Sequence, residues 1–159
     1  MSDLLAPEWG ASPPRLRRSE VIAAVGHGDD LWNRAAADLL RWKVKRRSGF
    51  SVDDAGPVRS GARPTMTARV LGVRIPEPIE VLDVTQSPDR VGFVYRTLPG
   101  HPVDGCEAFL MHRAASEDTI FLTIRSLTRA SDSRPWRALF PLLALAQRAV
   151  RRRYLKSLR

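Results

Sequence analysis

Residues 90–113 read RVGFVYRTLPGHPVDGCEAFLMHR, and this stretch decides the fold. Two β-prone runs, Arg90–Leu98 and Gly105–Arg113, flank Pro99-Gly100-His101-Pro102, a cluster of turn formers. A link this short joins antiparallel neighbours, because parallel strands need a crossover of a dozen residues or more. With Leu98–Asp104 as the loop, Thr97 falls opposite Gly105, Tyr95 opposite Glu107, Phe93 opposite Phe109 and Val91 opposite Met111. Side chains alternate with period 2, so these eight share one sheet face. A two-residue turn at Ser116-Glu117 extends the pattern, setting Met111 against Leu122, Phe109 against Ile124 and Glu107 against Ser126. The shared face runs from apolar at Val91, Met111 and Leu122 to polar at Tyr95, Glu107 and Ser126.

Working outward, further β-like runs cover Thr65–Ile75, Ile79–Gln86 and Thr119–Thr128, with a shorter one at Phe50–Asp53 and a first strand at Leu16–Val25. Gly26-His27-Gly28 then turns the chain, and Asp29 is a candidate N-cap for a helix to about Arg46. Trp32, Ala35, Ala36, Leu39 and Trp42 are spaced by three and four and form its apolar stripe. Lys43, Lys45, Arg46 and Arg47 crowd its end, where the helix dipole favours cations. From Ser133 a last element begins, with Pro141 breaking or kinking it. Beyond that proline Leu142, Leu143, Ala146, Val150, Tyr154 and Leu158 form the stripe of a long amphipathic helix. The period of the apolar pattern thus passes from about 3.6 to 2 and back. The expected fold is α+β: a curved antiparallel sheet of about six strands, one helix in the N-terminal half, and a long C-terminal helix closing one face. Residues 1–15, with Pro7, Gly10, Pro13 and Pro14, read as an irregular arm, and residues 16–159 as a single domain.

Composition bounds the function. A chain of 159 residues, 43% hydrophobic and 27% charged, can bury a core without staples. The single cysteine, Cys106, excludes an intrachain disulfide, and no Cys/His cluster has zinc-ligand spacing. No metal or cofactor is expected. Met1–Trp9 lacks a basic segment followed by an apolar one, and the longest apolar stretch, Ala138–Ala146, is too short to span a bilayer, so a cytoplasmic location is the expectation. The net charge of +9 is concentrated: residues 134–159 carry 8 basic and no acidic side chains.

The element order resembles the helix-grip arrangement of the START and Bet v 1-like superfamily, in which sheet and helix enclose an apolar cavity. A second resemblance rests on particular runs: Val25-Gly26-His27-Gly28, Gly92-Phe93-Val94-Tyr95, Leu98-Pro99-Gly100-His101-Pro102 and Gly105-Cys106-Glu107-Ala108-Phe109. With Ser133-Arg134-Pro135, Gln147-Arg148 and Tyr154-Leu155, these are similar to the domain-of-unknown-function family nineteen-ninety of bacteria and plants. Where that family usually has two acidic residues before the Ala-Phe pair, this chain has Cys106-Glu107. Where the family tends to have Gly after the strand tyrosine, this chain has Arg96. The resemblance implies no established activity.

The function expected first is binding of a small apolar or amphipathic ligand in a sheet–helix cavity, through Tyr95, Glu107, Phe93, Phe109, Ser126, His101 and Arg134. A carboxylate facing such a cavity must be paired, hydrogen-bonded or protonated. Tyr95, Ser126 or Arg134 can supply that support to Glu107. One alternative is a basic C-terminal face of Arg148, Arg151, Arg152, Arg153 and Lys156 that meets nucleic acid or anionic membrane. Against it, no zinc finger, RNP-like strand motif or helix-turn-helix is present, and cations at a helix end complement its dipole. Another alternative is an enzyme of unknown reaction using Tyr95, His101, Glu107 and Arg134 in the same cavity. No Ser-His-Asp or Cys-His arrangement is legible, and Cys106 lies mid-strand rather than at an activating helix N-terminus. Gly26-His27-Gly28 lacks the Lys-Ser/Thr pair of a P-loop.

Overall fold

The computed structural model describes residues 2–10, 16–70, 72–113, 118–131, 150 and 152–158. The strands are β1 (Arg17–His27), β2 (Phe50–Val52), β3 (Thr65–Val70), β4 (Val73–Ser87), β5 (Arg90–Thr97), β6 (Val103–Arg113) and β7 (Thr119–Ala130). Two helices, α1 (Asp29–Leu39) and α2 (Lys43–Arg46), lie between β1 and β2. The sheet order is β1-β7-β6-β5-β4-β3-β2, all antiparallel. β2 to β7 form a meander, while β1 sits at the far edge beside β7. The chain must therefore cross the whole sheet between β1 and β2, and α1 and α2 make that crossing over one face. The sheet thus has seven strands against about six expected.

The register read from the central hairpin is the observed one: Val91 pairs with Met111, Phe93 with Phe109 and Tyr95 with Glu107. Across the next ladder Glu107 pairs with Ser126, Phe109 with Ile124 and Met111 with Leu122. Gly105 permits the tight start of this register: its φ is 145°, and a Cβ there would meet the Leu127 carbonyl oxygen at 2.0 Å. Phe93, Phe109, Met111 and Leu122 are completely buried with Leu39 and Trp42 in the core between sheet and helices.

Three expectations are corrected. The helix is not continuous to Arg46. It ends at Leu39, and Trp42 takes up left-handed backbone (φ 62°, ψ 11°) before α2 begins. For a bulky residue that conformation costs about 1–2 kcal/mol, offset here by complete burial of the indole and its edge-on packing against Phe93, centroids 5.2 Å apart. The helix is capped by Gly28 rather than Asp29; Asp29 is its first residue and pairs with Arg113. The proline-rich stretch expected to separate two strands instead lies inside β4, and the chain reverses between Val70 and Val73. Pro76 and Pro78 are tolerated because that part of β4 pairs only with β3; pairing with β5 begins at Ile79.

The N-terminal arm covers the opposite face of the sheet. A 3-10 turn at Ser2–Leu5 buries Leu4 and Leu5 against Val94, Cys106, Ala108 and Leu110. Arg125 anchors it, donating to the carbonyls of Leu4 (3.1 Å), Ala6 (2.6 Å) and Pro7 (3.2 Å) and pairing with Glu20 at 2.8 Å. The expected long helix at 141–157 falls largely outside the described residues. Within them, Arg152–Tyr154 is helical, and Tyr154 and Leu158 are buried in the main core. No helix among the described residues is long and apolar enough to cross a membrane.

Candidate functional site

The left-handed residue Trp42 redirects the chain so that the short helix α2 points Lys45 inward over the middle strands. The result is a nearly fully buried ammonium, its side chain 2% exposed. Its three N–H donors are all engaged: Tyr95 Oη at 2.6 Å on β5, Glu107 Oε2 at 2.8 Å on β6, and Tyr154 Oη at 2.8 Å. Tyr95 in turn donates to Glu107 Oε2. Four rings surround the cation, those of Tyr154 (4.6 Å to the centroid), Phe109 (4.7 Å), Tyr95 (5.0 Å) and Phe50 (5.2 Å). Isolated burial of an ammonium is prohibitive, so this charge persists only because a carboxylate, two phenols and aromatic faces replace its water. Desolvation, then the charge of Glu107, holds the Tyr95 phenol well above its ordinary pKa, so it acts as a hydrogen-bond donor and not as a base.

Above this floor opens a cavity of about 110 Å³. Lys45, Tyr95, Glu107 and Tyr154 close its inner end. Phe50, Ala68, Ile75 and Val150 supply apolar wall, while Glu77, His101, Ser126 and Thr128 add polar groups. Glu77 arrives by strand alternation: Ile75, Glu77, Ile79 and Val81 take the inward phase of β4. Burial, the largest influence, pushes its carboxyl up to about 7, with Lys45 opposing and Glu107 adding to the rise. His101 lies on the β5–β6 loop. Its Nδ1 accepts the Val103 N–H at 3.0 Å, and its Nε2 lies 3.7 Å from Glu77 Oε2. Burial, reinforced by the Lys45 charge, lowers its pKa to about 4, so the ring is neutral at physiological pH.

Of the residues read from sequence, Tyr95, Glu107, His101 and Ser126 meet at this cavity. Phe93 and Phe109 are fully buried in the core behind it, where they support the floor rather than line the space. Arg134, Arg148 and Arg151 lie outside the described residues. Arg152, Arg153 and Lys156 are exposed and away from the cavity. The support expected for Glu107 from Tyr95 is present; its ion-pair partner, however, is Lys45, which the sequence places among helix-end cations. Glu77, Lys45 and Tyr154 are among the site residues that the sequence reading missed; Tyr154 was read only as part of the C-terminal apolar stripe. Lys45 carried a signal, since it continues the stripe of Leu39 and Trp42 at a spacing of three. Glu77 carried one as well, in phase between Ile75 and Ile79. Cys106 is buried, and desolvation raises its thiol pKa, which leaves it unactivated.

Comparison with known proteins adds a family and a fold. The family model described as "Domain of unknown function (DUF1990)" matches residues 1–157. A UPF0548 protein of Deinococcus radiodurans is 30% identical over 164 residues, spanning 94% of this chain and 80% of the relative. Among solved structures, hypothetical protein jhp0584 of Helicobacter pylori superposes with a TM-score of 0.62 at 14% identity, over 97% of this chain and 89% of that one. The Bet v 1-like proteins Ara h 8.0201 (TM-score 0.54, 9% identity, 90% and 97% covered) and major latex-like protein 151 of Panax ginseng (0.51, 13%, 87% and 95%) share the fold. At these identities the likeness is one of architecture.

Proposed function

The chain belongs to the DUF1990 family, and from that premise we propose that it binds one small amphipathic molecule in the cavity between sheet and helices. The observation that carries the proposal is the placement of the buried Lys45–Glu107 pair. The packed pair borders an open cavity instead of being enclosed by core on every side. Replacing a buried ion pair by well-packed apolar residues is often neutral or stabilising, so the pair is weak evidence for a stability role. Preorganised polar groups at the end of a largely apolar cavity are what orient a small ligand. The Bet v 1-like architecture is compatible with this, since it leaves room between sheet and helix. At about 110 Å³ the space is below the roughly 300–1,000 Å³ of sites for drug-sized ligands, so the ligand is small. Tyr95, Glu107, His101 and Ser126 are the groups proposed to face it, with Glu77 beside them. The test is native mass spectrometry of protein purified from its own host. A discrete mass excess corresponding to one bound small molecule is expected; protein that always emerges bare would sink the proposal.

A further inference from the structure

Among the described residues, Glu77 differs from every other charged group at the cavity. Lys45 has spent its three donors, and Glu107 balances its charge. His101 holds Nδ1 as an acceptor for the Val103 N–H, so the proton of its neutral ring is on Nε2 and the ring carries no charge toward Glu77. Glu77 Oε2 lies 3.7 Å from that Nε2, beyond hydrogen-bond reach. Among the described residues the Glu77 carboxylate makes no hydrogen bond and has no cationic side chain of its own, yet it lines the cavity and is only 18% exposed. By contrast Glu80, three residues along the same strand, is paired with both Arg63 and Arg96. A half-buried carboxylate facing an open space requires a donor from whatever fills that space.

We infer that the ligand is a small protonated amine, its ammonium on the Glu77 carboxylate and its apolar body against Phe50, Ile75 and Val150. This rests on the cavity being a ligand site. The charge balance selects the class. Among the described residues Lys45 and Glu107 cancel, so an ionised Glu77 adds one negative charge that a monocation neutralises. A charge-assisted bond is about twice as strong as one from a neutral hydroxyl. An anionic ligand would face two carboxylates and an ammonium already saturated. The neighbouring rings of Phe50 and Tyr154, stacked at 6.2 Å, present π faces that also favour a cation.

The experiment uses three ligands of one shape: cyclohexylamine, cyclohexanol and cyclohexanecarboxylate. Each is titrated into the full chain at about pH 7.5 and constant ionic strength, followed by amide shifts of cavity residues. The amine is expected to bind about tenfold more tightly than the alcohol, and the carboxylate most weakly. Glu77→Gln should erase the amine preference, and Glu80→Gln should leave all three affinities unchanged. Equal binding of alcohol or carboxylate, an amine preference that survives Glu77→Gln, or equal loss in Glu80→Gln would each overturn the inference. So would the absence of cavity shifts with all three. The broader ligand-binding proposal is judged separately by the molecule retained from the host. A retained anion would overturn the amine assignment alone.

Discussion

Glu77→Gln removes a carboxyl that folding makes hard to ionise, and the consequence is a stability profile that changes shape with pH. In the folded protein the Glu77 pKa is about 7 against an ordinary value of 4.5. Below pH 4.5 folded and unfolded chains both hold the proton. Between 4.5 and 7 the folded state alone holds it, so this contribution to stability is lost as pH rises through 7. At about 1.4 kcal/mol per pH unit the rise is worth about 3 kcal/mol. His101 runs the other way. Its folded pKa is about 4 against 6.5, so its contribution is present above 6.5 and lost as pH falls through 4, again about 3 kcal/mol. In the wild type the two trends oppose and largely cancel between about pH 4.5 and 6.5. Glu77→Gln should gain about 3 kcal/mol relative to wild type between pH 4.5 and 7.5, and should itself weaken as pH falls below 6.5. His101→Gln should show the reverse slope, weakening as pH rises toward 7. Urea unfolding at several pH values, with unchanged m-values, measures this directly. Other groups titrate alike in all three proteins, so the differences isolate the two residues. Parallel profiles for wild type and Glu77→Gln would refute the assigned burial of the carboxyl.

The remaining predictions concern packing. Lys45→Met or Glu107→Gln alone should each cost about 3–5 kcal/mol, because each leaves the other's charge buried and uncompensated. The double variant should cost well below the sum, and a double-mutant cycle by chemical denaturation reads the coupling. Phe109→Ala should cost about 3–5 kcal/mol through loss of core packing, with no change in the slope of stability against pH. Arg125→Ala should release the N-terminal turn, seen as faster hydrogen exchange at the amides of Ala108 and Leu110 while amides of α1 stay protected.

The middle of the sheet was legible because two constraints agree there. The β5–β6 loop has few residues, and the register it sets puts Phe93, Phe109 and Ile124 on one face; a slip of one would move Glu107 and Phe109 to the face opposite Tyr95 and Phe93. β4 was legible only in part. Pro76 and Pro78 hide its continuity, since a proline inside a strand is recognisable as acceptable only once the neighbouring ladder is known to be absent. That concealment also hid Glu77. Lys45 was obscured by its company. In the run Lys43-Val44-Lys45-Arg46-Arg47 every cation suits a helix end, and it takes the left-handed turn at Trp42 to send one of them inward. A tryptophan gives no local sign of that conformation, which is imposed by packing against Phe93. The arm's role was invisible for a related reason: Leu4 and Leu5 form no periodic pattern, and their partners Val94, Ala108 and Leu110 are brought together only by the sheet.

The most direct measurement of the central claim compares host-purified wild type with a plugged cavity. Ala68 lines the apolar wall of the space and pairs across the ladder with Ile75. Ala68→Trp should therefore fill the cavity while leaving the Lys45–Glu107 pair in place. Native mass spectrometry should show one bound small molecule on the wild type and none on Ala68→Trp, with both proteins folded by circular dichroism. An unliganded wild type, or a plugged variant that retains the same mass excess, would contradict binding in this cavity.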